Sequence, residues 1–504
     1  MATTTPAAPG KLRTNCLNYW EVLAQSIALI SPTMTAALIV PVMFGTSGNG
    51  SWLAYAFGTV MLLFVAICLN EFAKRSTTSG SMYAYVTRGL GPVAGGLAGW
   101  CLIWAYMFIG QAGLTGFTNF AQVLLGMMGV SDAHVHALGV TIALTLACCA
   151  TSWYLAYKDV QLSAILMLVL EVASLIFIVV LGFMVMFHHG IPVDHQQIAV
   201  KGMSFSMLGF GVVIAIFSLV GFEAATAFGD EASAPLINIP KAVIWSLLST
   251  GIFFVFVTYM EVYGTHGYKT TLDQLTAPLN TLAEIMHVKW MAVPISIGAL
   301  LSFFSLNLSC MNAGARVMFK MGRHKMFHES IGQSHATNST PHVAVSIVAA
   351  IMAISATGFY IWHNMPGVLK AYSMTTDGIA TDVFGWVGTF GAFGFLGAYF
   401  LVSIAAPSYL KKIGELKPKH VITSVIAVVL LMVPAVGSVY TNPPLTPPVK
   451  YFPYVFIGYF VIGLILCLSK LAQGDEVVQS VTKDLEVAPE PALVMEPLME
   501  PAGS

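Results

Sequence analysis

About twelve stretches of this chain stay apolar for the length of a membrane crossing, and that leaves little choice of fold. A helix needs about 20 apolar residues to cross roughly 30 Å of hydrocarbon. Inside the bilayer its backbone must satisfy its own hydrogen bonds, which a helix does. The runs lie near residues 22–44, 52–69, 93–128, 138–157, 161–187, 205–228, 242–263, 290–319, 343–362, 384–401, 421–439 and 452–468. The expected fold is therefore an all-α polytopic membrane protein with about 12 transmembrane helices. The third and eighth runs exceed a single crossing and should tilt or project beyond the bilayer. Composition agrees: charged residues are 9% of the chain, against about a quarter in an ordinary soluble domain. A net charge of −1 gives no global field for nucleic acid.

Lysine and arginine in the connecting segments set the orientation. With the N-terminus cytoplasmic, 17 of the 22 basic residues fall inside and 5 outside. An even number of crossings then places both termini in the cytoplasm. Residues 1–18 read as a polar cytoplasmic segment without the features of a signal peptide. Residues 19–470 read as the transmembrane body. Residues 471–504, rich in Glu and Pro, read as a disordered acidic cytoplasmic tail. The seven cysteines show neither metal-ligand spacing nor a disulfide framework. No metal site and no cofactor is expected.

Two of the runs are interrupted. The first contains Ala28-Leu29-Ile30-Ser31-Pro32-Thr33-Met34-Thr35. Pro32 lacks an N–H and clashes with the preceding turn, so the helix should break there, and Thr33 and Thr35 offer caps for a new half-helix. The sixth contains Phe217-Ser218-Leu219-Val220-Gly221-Phe222-Glu223, where Gly221 permits a broken backbone. Interruptions at matching places in two halves point to an inverted-repeat transporter with its site near the bilayer midplane. Half-helix N-termini favour a carboxylate, and exposed carbonyls at the opposite ends favour an ammonium or Na⁺. Such a site suits a zwitterionic amino acid. The simpler alternative is that Pro and Gly only kink these helices.

Four local patterns carry a family resemblance. One is Gly221-Phe222-Glu223 followed by Asp230-Glu231 and Asn238-Ile239-Pro240-Lys241-Ala242. A second is Asn70-Glu71-Phe72-Ala73-Lys74-Arg75 leading to Gly80-Ser81-Met82-Tyr83 and Gly89-Leu90-Gly91-Pro92. A third is Ala315-Arg316-Val317-Met318-Phe319 leading to Arg323 and Phe327. The fourth is the N-in arrangement of twelve crossings. On these the chain, over roughly residues 15–470, resembles the amino acid–polyamine–organocation (APC) transporter family.

The resemblance implies a 5+5 inverted repeat with discontinuous helices 1 and 6. Repeat one would run over about 19–190 and repeat two over about 203–405, with helices eleven and twelve at 419–470. It implies that the unwound parts bind the amino acid backbone, at Ile30, Ser31, Pro32, Thr33, Ser218, Val220 and Gly221. Phe217 would match an aromatic gate, and Ser305 and Asn307 would line the pocket. The chain departs from the family's small-Gly-small-Gly sequence in helix 1, having Ser31-Pro32-Thr33 instead.

Glu171 and Glu223 are singled out as acids within apolar runs. A charge at bilayer depth costs from about 3 to more than 10 kcal/mol, so each should face a partner or a cavity. For both, proton coupling or gating is the functional reading. A neutral acid hydrogen-bonded to a neighbouring helix is the structural one. In relatives the position of Glu171 may carry a lysine that stands in for sodium. Lys74, Arg75, Arg88, Arg316, Asp230 and Glu231 should face the cytoplasm, as an inner gate network or as a plain positive-inside surface. Trp100 and Trp104 are read as pocket lining or helix packing.

The function expected is secondary active import of an amino acid by alternating access, coupled to H⁺, in a plasma membrane of bacterial inner-membrane type. The alternatives are a polyamine or ethanolamine permease, or an amino acid exchanger. The partners are then an amino acid or amine, H⁺ and the lipid bilayer, with no nucleic acid. An enzyme is not expected, since no nucleophile–base pair or metal motif lies within the runs.

Overall fold

The structure is a computed structural model that describes residues 18–75, 82–158, 164–188, 193–228, 232–335, 338, 340–372, 378–441 and 444–472. The N-terminal segment up to residue 17 and the tail from 473 lie outside the described residues, as do Asp230 and Glu231.

Among the described residues the chain is helical and contains no strand. The α-helices are α1 (Tyr19–Ile30), α2 (Pro32–Met34), α3 (Val40–Ser47), α4 (Ser51–Ala73), α5 (Met82–Leu90), α6 (Pro92–Met127), α7 (Asp132–Val135), α8 (Leu138–Lys158), α9 (Ala164–His188), α10 (His195–Ile198), α11 (Phe205–Leu219), α12 (Pro235–Gly264), α13 (Pro278–Ile285), α14 (Ala292–Arg323), α15 (His342–His363), α16 (Pro366–Tyr372), α17 (Ile379–Lys412), α18 (Pro418–Gly437) and α19 (Phe452–Ala472). A π-helical turn, Thr35–Ile39, joins α2 to α3, and a 3₁₀ segment, Phe222–Phe228, follows α11.

Among the described residues, ten helical stretches are long and apolar enough to cross a membrane, and one of them, Pro32–Ala73, runs for 42 residues. The helix before the second interruption, Phe205–Leu219, is apolar but shorter. The chain is thus an integral, multi-pass membrane protein. The long third and eighth runs appear as α6, with 36 residues, and α14, with 32.

The centre of the bundle is α6, packed along α14 and α17. Small residues allow that approach. A Cβ on Gly394 would stand 2.6 Å from the Cys101 carbonyl oxygen, and one on Gly113 would stand 2.8 Å from the Asn307 nitrogen. The peripheral helices keep apolar side chains exposed, such as Ile176 and Phe183 on α9, Ile354 on α15, Val425 on α18 and Ile465 on α19. Without lipid these faces would be left in water, where such contiguous apolar surface is not tolerated. A second, smaller apolar cluster gathers Ala36 and Val40 with Ile178, Leu181, Val257, Leu279, Leu282 and Ile295. It closes the end of the bundle at which α3 finishes and α13 packs.

Candidate functional site

The first interruption centres on Ser31. Its N–H closes α1 on the Ile27 carbonyl at 3.0 Å. Its backbone then turns into the left-handed region, φ 52° and ψ 66°, although its side chain is buried. Pro32 takes the first position of α2, where the missing N–H would have had no helical partner anyway. The N–H of Thr33 is one of the donors that a helix start leaves open. It donates to Glu171 Oε1 at 2.9 Å. The Thr33 and Ser302 hydroxyls lie beside the same carboxyl group without closing a hydrogen bond to it.

The expectation that Thr33 or Thr35 caps this half-helix does not hold. Neither hydroxyl has a hydrogen-bond partner. With Pro32 at the first position, both threonines lie inside the helical turns, where a hydroxyl cannot reach the open N–H groups. The residue at the cap position is Ser31, and its hydroxyl turns instead to the Ser302 carbonyl at 3.4 Å. The cap comes from α9.

The second interruption lies between α11 and the 3₁₀ segment. Val220 is extended, φ −60° and ψ 144°, and Gly221 has φ +110°, a region an L side chain rarely adopts. The Gly221 N–H donates to Glu223 Oε2 at 3.1 Å, and the Tyr399 hydroxyl donates to the same oxygen at 3.3 Å. The other oxygen, Oε1, has no partner. The two interruptions touch: a Cβ on Gly221 would stand 3.0 Å from the Ile30 nitrogen and 3.1 Å from the Leu29 carbonyl carbon. Ile30, Ser31, Pro32, Thr33, Val220, Gly221, Glu171 and Glu223 are all buried around this contact.

The other residues singled out in the sequence sit around it differently. Ser218 shares a 2.8 Å hydrogen bond with the Tyr55 hydroxyl of α4. Phe217 is buried against Phe384, ring centroids 5.4 Å apart, and against Gly388 of α17. Asn307 is tied to α6 by its amide, which donates to the Gly110 carbonyl at 2.9 Å. Ser305 is half-buried. The residue of α14 that meets the first interruption is Ser302, one turn earlier. Trp104 is committed to packing: its Nε1–H donates to the Phe390 carbonyl at 2.9 Å and its ring lies against Phe390 and Tyr459. Trp100 likewise donates to the Tyr459 carbonyl at 3.0 Å.

At the far end of α4, Arg75 bridges Glu71 at 2.7 Å and Glu415, beyond the end of α17, at 2.8 Å. Burial works against the Arg75 charge, but hydrogen bonds to both carboxylates outweigh it and raise the guanidinium above its ordinary value. Lys74 lies 3.5 Å from Glu71 as well. The ion network expected here therefore exists in part, with Glu71 and Glu415 supplying its acids. Arg316 is exposed, and Asp230 and Glu231 lie outside the described residues.

Tyr55, Tyr399, Ser302 and Glu261 were not picked out from the sequence. For the first three no local pattern marks them. Glu261 carries the same signal that marked Glu171, an acid inside an apolar run.

The chain matches the model of the amino acid permease family over residues 17–466. It belongs to that family. The members are transporters, so this permease is a membrane transporter of small molecules and not an enzyme. It is similar to the branched-chain amino acid permease BcaP of Bacillus subtilis (strain 168), with 25% identity over 332 residues, 61% of this chain and 67% of that one. BcaP of Lactococcus lactis subsp. cremoris (strain MG1363) is 25% identical over 378 residues, 71% of this chain and 80% of that one. The low-affinity putrescine importer PlaP of Escherichia coli (strain K12) is 24% identical over 348 residues, 67% of this chain and 74% of that one. These three relatives are two amino acid permeases and a putrescine importer, and the family resemblance read from the motifs is confirmed.

Proposed function

We propose that this permease is a secondary active transporter that imports an amino acid by alternating access, coupled to H⁺. The observation that carries the reading is the contact between two helix interruptions, each with an open N–H held by a buried acid. The main chain at Ile30, Ser31, Pro32, Thr33, Val220 and Gly221 forms the substrate site, with Ser218 behind it. Phe217 is the gate, and Ser305 and Asn307 line the pocket when it opens. Glu171 and Glu223 occupy the N–H groups that a substrate carboxylate would take. They act as gating acids that yield those donors when a proton or substrate arrives. The body is built of twelve crossings over residues 19–470 in a five-plus-five inverted repeat, with α1–α3 and α11 opening corresponding halves. Both termini are cytoplasmic, on the lysine and arginine count, and the membrane is a bacterial inner membrane.

One observation favours an amine substrate as the second reading: two acids at the interruptions, with a putrescine importer among the relatives. Competition by amines that lack a carboxylate separates the two. The direct test is uptake of a labelled amino-acid panel into proteoliposomes, with and without an inward proton gradient, in wild type and Glu171→Gln. Gradient-driven uptake that is lost in Glu171→Gln supports symport. Uptake that ignores the gradient but needs amino acid inside the vesicle makes the protein an exchanger.

A further inference from the structure

Glu261 stands on α12, three residues before the helix ends at Gly264. It is 0% exposed, and neither carboxyl oxygen has a hydrogen-bond partner. The Thr258 hydroxyl, one turn earlier, is equally buried and equally without a partner. Phe254, two turns before Glu261 and on the same face by helical period, packs its ring 5.5 Å from that of Tyr55. Tyr55 in turn bonds Ser218, in the last turn of α11 before the second interruption. Glu261 thus shares a helix face with Phe254, which meets the candidate site through Tyr55.

Its other end meets the small apolar cluster. A Cβ on Gly264 would stand 2.6 Å from Leu282 of α13 and 2.6 Å from Val185 of α9. Leu282 and Val185 thus pack as an apolar plug against the end of α12 beyond Glu261.

The charged groups on the elements packed against α12 are committed elsewhere. Glu171 of α9 and Glu223 of the 3₁₀ segment accept backbone N–H groups. Glu284 of α13 is exposed and pairs with Lys289 at 2.6 Å, and Glu21 of α1 caps its own helix start. Glu71 of α4 belongs to the Arg75 network at that helix's opposite end. Just beyond the end of α12, His266 lies 3.5 Å from Asp194, the cap residue of α10. Among the described residues, no charged side chain pairs with Glu261.

An ionised carboxylate without a partner at such a place carries a large desolvation cost, and binding a proton removes it. Glu171 and Glu223 differ, because an N–H donor favours the carboxylate. We propose that Glu261 is the group that binds the transported proton. It takes H⁺ from the outer water when the plug around α13 opens and holds it as a neutral O–H while occluded. It gives the same proton to the inner water when the interruptions open inward. One O–H bond forms and the same bond breaks in each cycle. The proposal rests on the symport reading above.

The test uses the full chain in proteoliposomes, with labelled leucine and labelled putrescine as probes. The readout is the ratio of uptake with an inward proton gradient to uptake without one. Glu261→Gln is expected to bring a ratio well above one in wild type down to one, and Glu261→Asp to restore part of it. A wild-type ratio of one sinks the symport reading itself. A high wild-type ratio that Glu261→Gln leaves unchanged sinks only the assignment to Glu261. If Glu261→Gln transports nothing, the intact wild-type protein decides. It is treated with dicyclohexylcarbodiimide, which reacts with protonated buried carboxyls, at pH 6 and pH 8, and the sites are mapped by mass spectrometry. Labelling of Glu261 that falls at the higher pH is the expected result. No labelling there, or labelling equal at both pH values, overturns the proposal.

Discussion

The two helix interruptions answer the same physical problem with different means. At Ser31–Pro32 the open N–H is closed by Glu171, 138 residues away on another helix. At Val220–Gly221 it is closed by Glu223, two residues on. The first takes its left-handed turn at a serine, the second at a glycine. One interruption is thus assembled by packing, and the other is written into the four residues Val220 to Glu223. The lesson is that a broken helix in a membrane needs an acceptor or donor for every freed backbone group, and that the partner need not be local.

The largest expected effect is at Gly221. Any side chain there meets a φ of +110° and the Leu29–Ile30 backbone at about 3 Å. Gly221→Ala should destabilise by about 1–3 kcal/mol, and Gly221→Val should abolish uptake. At Ser31 the converse change, Ser31→Gly, relieves a left-handed residue of about 1 kcal/mol of strain. It loosens the unfolded chain by about 0.4–1 kcal/mol, so its net effect should be near zero. Thermal unfolding of the purified protein compares the two. Equal shifts would show that packing alone, and not the glycine, shapes the second interruption.

Next in size is removal of the acids. Glu171→Ala leaves the Thr33 N–H buried without an acceptor, at about 1–3 kcal/mol, and unfastens α9 from α2. Glu171→Gln keeps an oxygen for that N–H and should lose far less stability. Glu223→Ala should lose less than Glu171→Ala, since it also removes a buried carboxyl oxygen that has no partner. Unfolding midpoints of the three variants give the order. If Glu223→Ala proves the more damaging, the supposed local interruption depends on tertiary contacts after all.

The same contrast decides how much was legible beforehand. Long apolar runs fixed the helices, because crossing length and hydropathy are properties of the local sequence. Pro32 and Gly221 marked both interruptions for the same reason. The contact of Glu223 with Gly221 was legible, since the acid stands two residues from the N–H it accepts. The role of Glu171 was not: its place in an apolar run flagged it, but Thr33 and Thr35 looked like the nearer caps. Which hydroxyl reaches an N–H is decided by the turn at Ser31 and by α9 packing alongside, and neither can be read locally. That Ser302 meets the first interruption, and that Asn307 bonds to α6, follow from the rotation of α14 against α6. That rotation is set by small residues such as Gly113 on the neighbouring helix, not by the sequence of α14.

The smallest effect is the most informative about whether the two interruptions work as one site. Tyr399→Phe removes one 3.3 Å hydrogen bond to Glu223 and leaves the Gly221 N–H bond in place, so it should cost about 1 kcal/mol or less. The Glu171→Ala change acts on the other interruption through a different helix. Changes at independent sites add to within about 0.5 kcal/mol. Here Gly221 lies against Ile30, so a shift at one interruption is passed to the other through backbone contact rather than through a shared side chain. The double variant Tyr399→Phe/Glu171→Ala should therefore depart from the sum of the single variants by more than that margin in its unfolding free energy. Strict additivity would mean that the interruptions are neighbours without being coupled. Opening one would then not require opening the other, and alternating access would have to be driven from elsewhere in the bundle.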